Sequence, residues 1–244
     1  MKKTPLFIVI SLFLGLYGCG NKMIETETFC SERMLENDSV NFSTKICIEF
    51  VEKGKRAVVD FINSTLVSTI LEVDFDGTRI DAINRHIDVA FADYQSSKTV
   101  PAWEFYEYID GFVTFLNEDY LCYQYNLHEY RGGTHPLEKT IYLVFDLKTG
   151  KKLTEDEIFT PDGKEDFWQI LTEILSDTQL YPENKTYKLN NIALNGNFSF
   201  EQDTLIYTFN QYEIAPYSSG KIDVKIPYEK IKEIIKIDLS QLLK

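Results

Sequence analysis

The chain has 244 residues, of which 44% are hydrophobic, and a formal charge of −13. That apolar content suffices for one sizeable core or two small ones and excludes wholesale disorder. The acid excess argues against nucleic acid and anionic lipid headgroups, which need positive surface; it suits a basic partner or, more blandly, a solvated acidic face.

The first eighteen residues read as an address. Lys2 and Lys3 precede an apolar run from Leu6 to Leu16, of secretory length and too short to span a bilayer comfortably. The run ends in Leu16-Tyr17-Gly18-Cys19, which resembles a lipobox: an aliphatic residue, a small residue at the scissile bond, then the thiol that takes diacylglycerol. Residues 1–18 are therefore expected to be a lipoprotein signal peptide, with Cys19 acylated (palmitate or similar) and seated in a lipid bilayer. The alternative is an ordinary cysteine behind a cleaved signal or an uncleaved anchor. Loss of 1–18 would leave 226 residues at −15, because only Lys2 and Lys3 carry charge there. Gly20 after the cysteine favours the outer over the inner membrane of a Gram-negative envelope. No later apolar run is long enough for a transmembrane helix.

Three further cysteines, Cys30, Cys47 and Cys122, make an odd set. One disulfide plus one buried thiol and three buried reduced thiols are both open; a Cys30–Cys47 bridge would be worth about 3 kcal/mol by loop closure. None of the spacings matches a zinc site.

Residues 20 to 43 are polar without sustained periodicity and read as a tether, assigned here to 19–44. Lys45–Val51 alternates and predicts a strand. Lys55–Glu72 switches to helical spacing, with Val59, Ile62, Leu66 and Ile70 on one stripe. Thr78 and Asp81 form a capping-box pattern before a second helix to about Gln95, with Ile80, Ile83, Ile87, Phe91 and Tyr94 inward. The 15 Tyr and 17 Phe of the chain point to substantial sheet. Trp103–Ile109, Phe112–Leu116 and Tyr120–Tyr130 read as strands joined at Asp110-Gly111 and Asn117-Glu118-Asp119, and Ile141–Leu147 continues them. A helical turn from Thr154 to about Phe159, an amphipathic helix over Lys164–Asp177, a hairpin over 197–209, a strand at Lys221–Ile226 and a helix over Tyr228–Ile235 complete the reading. The expected fold is α+β, an antiparallel β-meander with helices packed on one face. Portions 45–114 and 115–244 are expected to pack as one globular unit.

Three blocks carry a family resemblance. Tyr130-Arg131-Gly132-Gly133-Thr134-His135, Phe145–Leu153 (FDLKTGKKL) and Gln211–Gly220 (QYEIAPYSSG), the last followed by Ile226-Pro227-Tyr228, occur in the order found in a domain of unknown function. That domain is shared by the extracellular lysozyme-binding part of the anti-sigma factor RsiV and by accessory domains of peptidoglycan deacetylases. The similarity covers about 115 to 235. It implies a receptor-like, extracytoplasmic domain whose partner in one relative is a strongly basic enzyme. It does not carry over sigma-factor control or deacetylase chemistry, because this chain lacks the segments responsible.

Direct signs of catalysis are few. There is no G-x-S-x-G elbow, phosphate-binding glycine loop or catalytic-cysteine signature. Asp74-Phe75-Asp76-Gly77 is a poor calcium loop, with its glycine misplaced and its distal glutamate absent. Of the three histidines, His86 reads as a surface or boundary residue of the second helix. His128 and His135 flank Gly132-Gly133, where a structural hydrogen bond in a tight turn outweighs a metal site with Glu129 or Glu138. No cofactor and no metal is expected. The candidate binding residues are Tyr130, Gly132, Gly133 and His135 in the first block and Tyr212, Pro216, Tyr217 and Gly220 in the third. Tyrosines held by Pro216 are good recognition anchors, and the same segment is also explained as a fixed crossover with both rings half buried. Asp38-Ser39-Val40 resembles an O-glycosylation acceptor of Bacteroides-type bacteria. The expected function is a non-catalytic, cell-envelope binding module for a lysozyme-like protein or a peptidoglycan-related ligand. An enzyme acting on envelope glycans and a purely structural lipoprotein are the alternatives.

Overall fold

The computed structural model describes residues 10–11, 24–37, 40–74, 77–96, 104–177, 187, 189 and 192–242. Cys19, the Asp38-Ser39 acceptor and the Phe75-Asp76 part of the calcium-like loop lie outside the described residues. Among the described residues there are nine strands and five α-helices: β1 (Ile10–Ser11), β2 (Glu25–Asn37), β3 (Val40–Lys53), α1 (Arg56–Leu66), α2 (Arg79–Ser96), β4 (Glu104–Leu116), β5 (Tyr120–Tyr130), β6 (Leu137–Asp146), α3 (Glu155–Ile158), α4 (Gly163–Leu175), β7 (Phe198–Phe200), β8 (Thr204–Phe209), β9 (Ile222–Pro227) and α5 (Tyr228–Ile231). They form one sheet ordered β1-β2-β3-β4-β5-β6 and a second ordered β7-β8-β9. The α+β expectation holds, with two departures from a simple meander. A second sheet exists, and β3 pairs with β4 in parallel, from Asn41 opposite Glu104 to Ile48 opposite Gly111. Parallel neighbours need a long crossover, and the helical pair between them supplies it.

The chain divides into two units, Met1–Phe112 with Tyr125–Leu137, and Val113–Gln124 with Glu138–Lys244. In the first unit, the stretch read as a tether contains β2, which pairs antiparallel with β3 along its whole length, Cys30 opposite Cys47. Those two cysteines are disulfide-bonded. The helix stripes fall as expected: Val59, Ile62, Leu66, Ile70, Ile83 and Ile87 are all buried. Beyond Leu66 the first helix loosens into a π-helical turn, Val67–Leu71, ended by Glu72 in a left-handed conformation. Buried Asn63 ties α1 to the sheet, accepting from the Val51 amide (3.0 Å) and donating to its carbonyl (2.7 Å). The Thr78–Asp81 box caps α2: the Asp81 carboxylate accepts from the Thr78 amide and hydroxyl at 3.1 and 2.6 Å.

Asp110-Gly111 is not a turn. β4 runs straight through it, and Phe105, Glu107, Ile109 and Gly111 stay on the buried side without a slip of phase. The predicted turn at Asn117 is real, with the Asn117 side chain accepting from the Asp119 and Tyr120 amides at 2.9 and 2.8 Å.

In the second unit, α4 and the β7-β8-β9 sheet enclose one core containing Phe159, Phe167, Leu171, Phe198, Phe200, Tyr207, Phe209 and Val224. α3 has the complete capping box of Thr154 and Glu157. α5 is shorter than the predicted helix and stops at Ile231. After it the backbone is drawn into other bonds: Thr160 N donates to Ile234 O (2.8 Å), Lys236 N donates to Ile158 O (2.7 Å), and Ile235 bridges Phe159. Cys122 is free and fully buried, and burial pushes its thiol up to about 11. Iodoacetamide should leave it unmodified in the native protein and alkylate it only after unfolding; native-state labelling detected by peptide mass would contradict this.

Candidate functional site

The candidate residues fall in both units. In the first, Tyr130 ends β5 and its hydroxyl donates to the Gly133 carbonyl (2.8 Å), closing the Arg131–His135 loop on itself. Gly132 and Gly133 have φ of 82° and 129°, conformations that favour glycine, so the pair is a turn requirement first. His135 is exposed in this loop. The loop also delivers Arg131, a residue the sequence reading passed over. Its guanidinium donates to the Glu107 carboxylate (2.8 Å) and to Glu129 (2.7 Å), and lies 5.6 Å from the Phe105 ring centre.

Glu107 is 1% exposed, and its other oxygen meets His86 Nε2 at 2.7 Å. His86 Nδ1 is 2.7 Å from the Leu71 carbonyl, which can only accept. Both ring nitrogens must therefore carry hydrogen when Glu107 is ionised, so the ring is an imidazolium. Burial alone would lower the imidazole pKa; the hydrogen bond and charge of Glu107 outweigh it and raise it. For Glu107, burial would raise the pKa, but His86 and Arg131 hold it below the usual carboxylate range. One buried anion thus joins α2, β4 and the end of β5. The three groups are mutually paired, which ties these elements together.

On the opposite face of β4 and β5 the aromatic rings stack. Tyr106 lies 5.4 Å from Tyr108 and 5.0 Å from His128, with planes within 9° and 18°. Tyr130 adds a fourth ring, 5.8 Å from Tyr106. His128 is thereby a member of an aromatic ladder. Among the described residues, no group of three His, Cys, Asp or Glu side chains is placed to hold a metal ion.

In the second unit, the FDLKTGKKL block is a braced turn. The Asp146 side chain accepts from the Lys148 and Thr149 amides (2.7 and 3.1 Å), and Gly150, at φ 73°, donates to the Asp146 carbonyl (2.7 Å). The QYEIAPYSSG block is the more unusual. Ile214 and Ala215 are buried and pin the loop, while Glu213 accepts from Asn195 Nδ2 (2.7 Å) and the Asn210 amide (3.1 Å). Between these fixed points Tyr212 projects, 60% exposed, at φ 69°. A bulky residue in that left-handed region costs about 1–3 kcal/mol, and such strain concentrates at functional sites. The Tyr217 ring lies 5.6 Å from Tyr212; Pro216 is exposed between them, and Gly220 at φ 66° closes the bend.

Buried asparagines hold this platform to β6. Asn210 accepts from the Thr140 amide (2.7 Å) and donates to its carbonyl (3.1 Å); Asn197 accepts from the Tyr142 amide (2.8 Å) and also donates to Thr140 O (2.9 Å). Side chains here stand in for a neighbouring strand. Behind them the fully buried Tyr207 hydroxyl donates to Glu155 (2.5 Å) and accepts from the Asn195 and Gly196 amides (2.6 and 3.2 Å). Burial, then Glu155, pushes the phenol far above its ordinary range. Tyr207→Phe should cost about 2 kcal/mol in denaturant unfolding, because it strands the Asn195 amide and leaves Glu155 with the Gly196 amide but without the phenol's hydrogen bond; an unchanged midpoint would contradict the network.

Residues 156–229 match the model of a family described as "Protein of unknown function (DUF3298)". The matched stretch contains the QYEIAPYSSG and Ile226-Pro227-Tyr228 blocks; it is narrower than 115–235 and stops short of the Tyr130–His135 and Phe145–Leu153 blocks. Among solved structures, the chain is similar to a member of that family from Bacteroides fragilis NCTC 9343, with TM-score 0.75 and 22% identity over 90% of this chain and 97% of that one. It is also similar to a DUF3298 family protein from Pseudomonas aeruginosa PAO1, with TM-score 0.64 and 16% identity over 89% and 96%. At these identities the likeness is one of fold. No curated protein matches the chain.

Proposed function

We propose that the chain is an extracytoplasmic lipoprotein, anchored by acylated Cys19, whose folded part is a non-catalytic binding module for a basic protein of the lysozyme kind. The observation that carries this reading is Tyr212, a large aromatic ring kept in solvent on strained backbone beside Tyr217. A ring so held loses little entropy on docking, which is what a recognition anchor needs. The net charge of −13 supplies long-range attraction for a basic partner. The resemblance of the QYEIAPYSSG block to the lysozyme-binding domain of RsiV points the same way. A peptidoglycan-related ligand is the other class this module would serve.

The test is a titration of the purified full-length product with lysozyme at two salt concentrations. The wild type should bind, more weakly at high salt. Tyr212→Gly removes the ring and relieves the left-handed strain, so it should weaken binding by about tenfold or more while leaving the melting temperature unchanged or higher. Absence of wild-type binding, or equal affinity for Tyr212→Gly, would defeat the proposal.

A further inference from the structure

A second feature of the Val113–Gln124 and Glu138–Lys244 unit lies at the other end of β8 from Tyr212. A cleft of about 430 Å³ opens beside the β7–β8 turn, lined by Thr114, Phe115, Gln124 and Tyr142 and by the turn residues Glu201 to Asp203. Tyr142 is only 7% exposed, yet its hydroxyl makes no hydrogen bond among the described residues and keeps contact with solvent. A hydroxyl with no protein partner, on a side chain otherwise covered, is open to a guest that enters the cleft. Its surroundings favour one sign of guest. Burial, and after it the nearby carboxylates of Asp223 and Glu201, push the phenol up to about 12, so it stays neutral and able to accept.

Two of the three nearby carboxylates already have cations: Lys225 pairs with Glu201 at 3.2 Å and Lys221 with Asp223 at 2.7 Å. Asp203 has no ion pair or side-chain hydrogen bond among the described residues. No arginine or lysine lines the cleft. The lining therefore offers a neutral phenol oxygen, the Asp203 carboxylate and the Phe115 ring. A planar guanidinium uses such a set, donating at its edge to oxygens and stacking its face on an aromatic ring.

We propose that this cleft is a subsite for an organic cation, the guanidinium of an arginine side chain, held between the Tyr142 hydroxyl and the Asp203 carboxylate. It is separate from the Tyr212 platform and stands or falls without it. The chemistry is recognition of one cationic side chain, with no bond made or broken.

The experiment is a ligand-observed NMR titration of the full-length protein with three blocked amino acids: N-acetyl-arginine methylamide, its lysine counterpart and its neutral isostere with citrulline. Saturable binding of the arginine compound is expected, with citrulline weaker by roughly tenfold and lysine in between. Tyr142→Phe and Asp203→Asn should each weaken arginine binding by about threefold or more. Tyr142→Phe should melt close to the wild-type temperature, because the hydroxyl holds no protein partner among the described residues, and so separates lost recognition from lost folding. Equal affinity for arginine and citrulline, no saturable binding, or wild-type titrations by both variants would each overturn the assignment.

Discussion

Replacing Glu107 with alanine should lower the free energy of unfolding by about 3 kcal/mol, at the low end for a broken buried ion pair. The low end applies because Arg131 is 46% exposed by side chain and keeps Glu129, so water and a second carboxylate screen part of the loss. The His86 side is more deeply buried, and there the imidazolium would lose its carboxylate partner at 2.7 Å. The pH dependence follows from the two shifts. His86 has a raised pKa in the fold, so its contribution is complete below its unfolded value of 6.5 and disappears as pH rises through the folded value. Glu107 has a lowered pKa, so its contribution is complete above 4.5 and is lost as pH falls through its folded value. The cluster therefore contributes fully from about pH 4.5 to 6.5. Melting curves across pH should show the alkaline decline in the wild type and a flatter profile in His86→Gln. An identical slope in both proteins would remove His86 from the account.

Exchanging Cys30 and Cys47 together for serine should cost about 3 kcal/mol, from the freedom returned to the unfolded chain by a crosslink spanning 17 residues. The two cysteines face each other in the register of β2 and β3, so the native pairing itself should survive the loss. Denaturant unfolding of the variant should coincide with that of reduced wild type. A variant as stable as the oxidised protein would show that the bridge adds nothing.

The β2 strand explains why part of this fold is hard to read from residues. Its helix-facing side carries Phe29, Ser31, Arg33 and Leu35, and polar bonds secure it to α2: Ser31 to Asn84 at 2.7 Å, Arg33 to Asp88 at 2.6 Å, with Arg33 also 5.1 Å from the Phe91 ring centre. Without an apolar alternation, such a strand looks like a tether. Asp110-Gly111 misleads in the opposite way, since a favoured hairpin pair sits inside an unbroken strand held by its parallel neighbour β3. The α5 helix ends early because its following backbone is claimed by residues 158 to 160. By contrast, the Thr78–Asp81 capping box, the helical turn from Thr154, the buried stripes of α1, α2 and α4 and the Asn117 turn depend on neighbours in sequence, and they are legible.

The sites divide along the same line. Tyr212, Pro216, Tyr217 and Gly220 stand in one contiguous block, so the loop could be singled out, although the positive φ of Tyr212 could not. The His86–Glu107–Arg131 cluster joins residues from three elements far apart in the chain, and only Arg131 lies in a recognisable block. Tyr142 gave no local signal; its interest arises from the hydrogen bond its hydroxyl does not make.

The proposal that this body stands outside the cytoplasm on a lipid foot is tested most directly by the intact mass of the protein extracted from membranes. The mass should correspond to a polypeptide beginning at Cys19 with a diacylglyceryl thioether and amide-linked or free amino terminus. A product that still begins at Met1, or one with an unmodified thiol at Cys19, would contradict it.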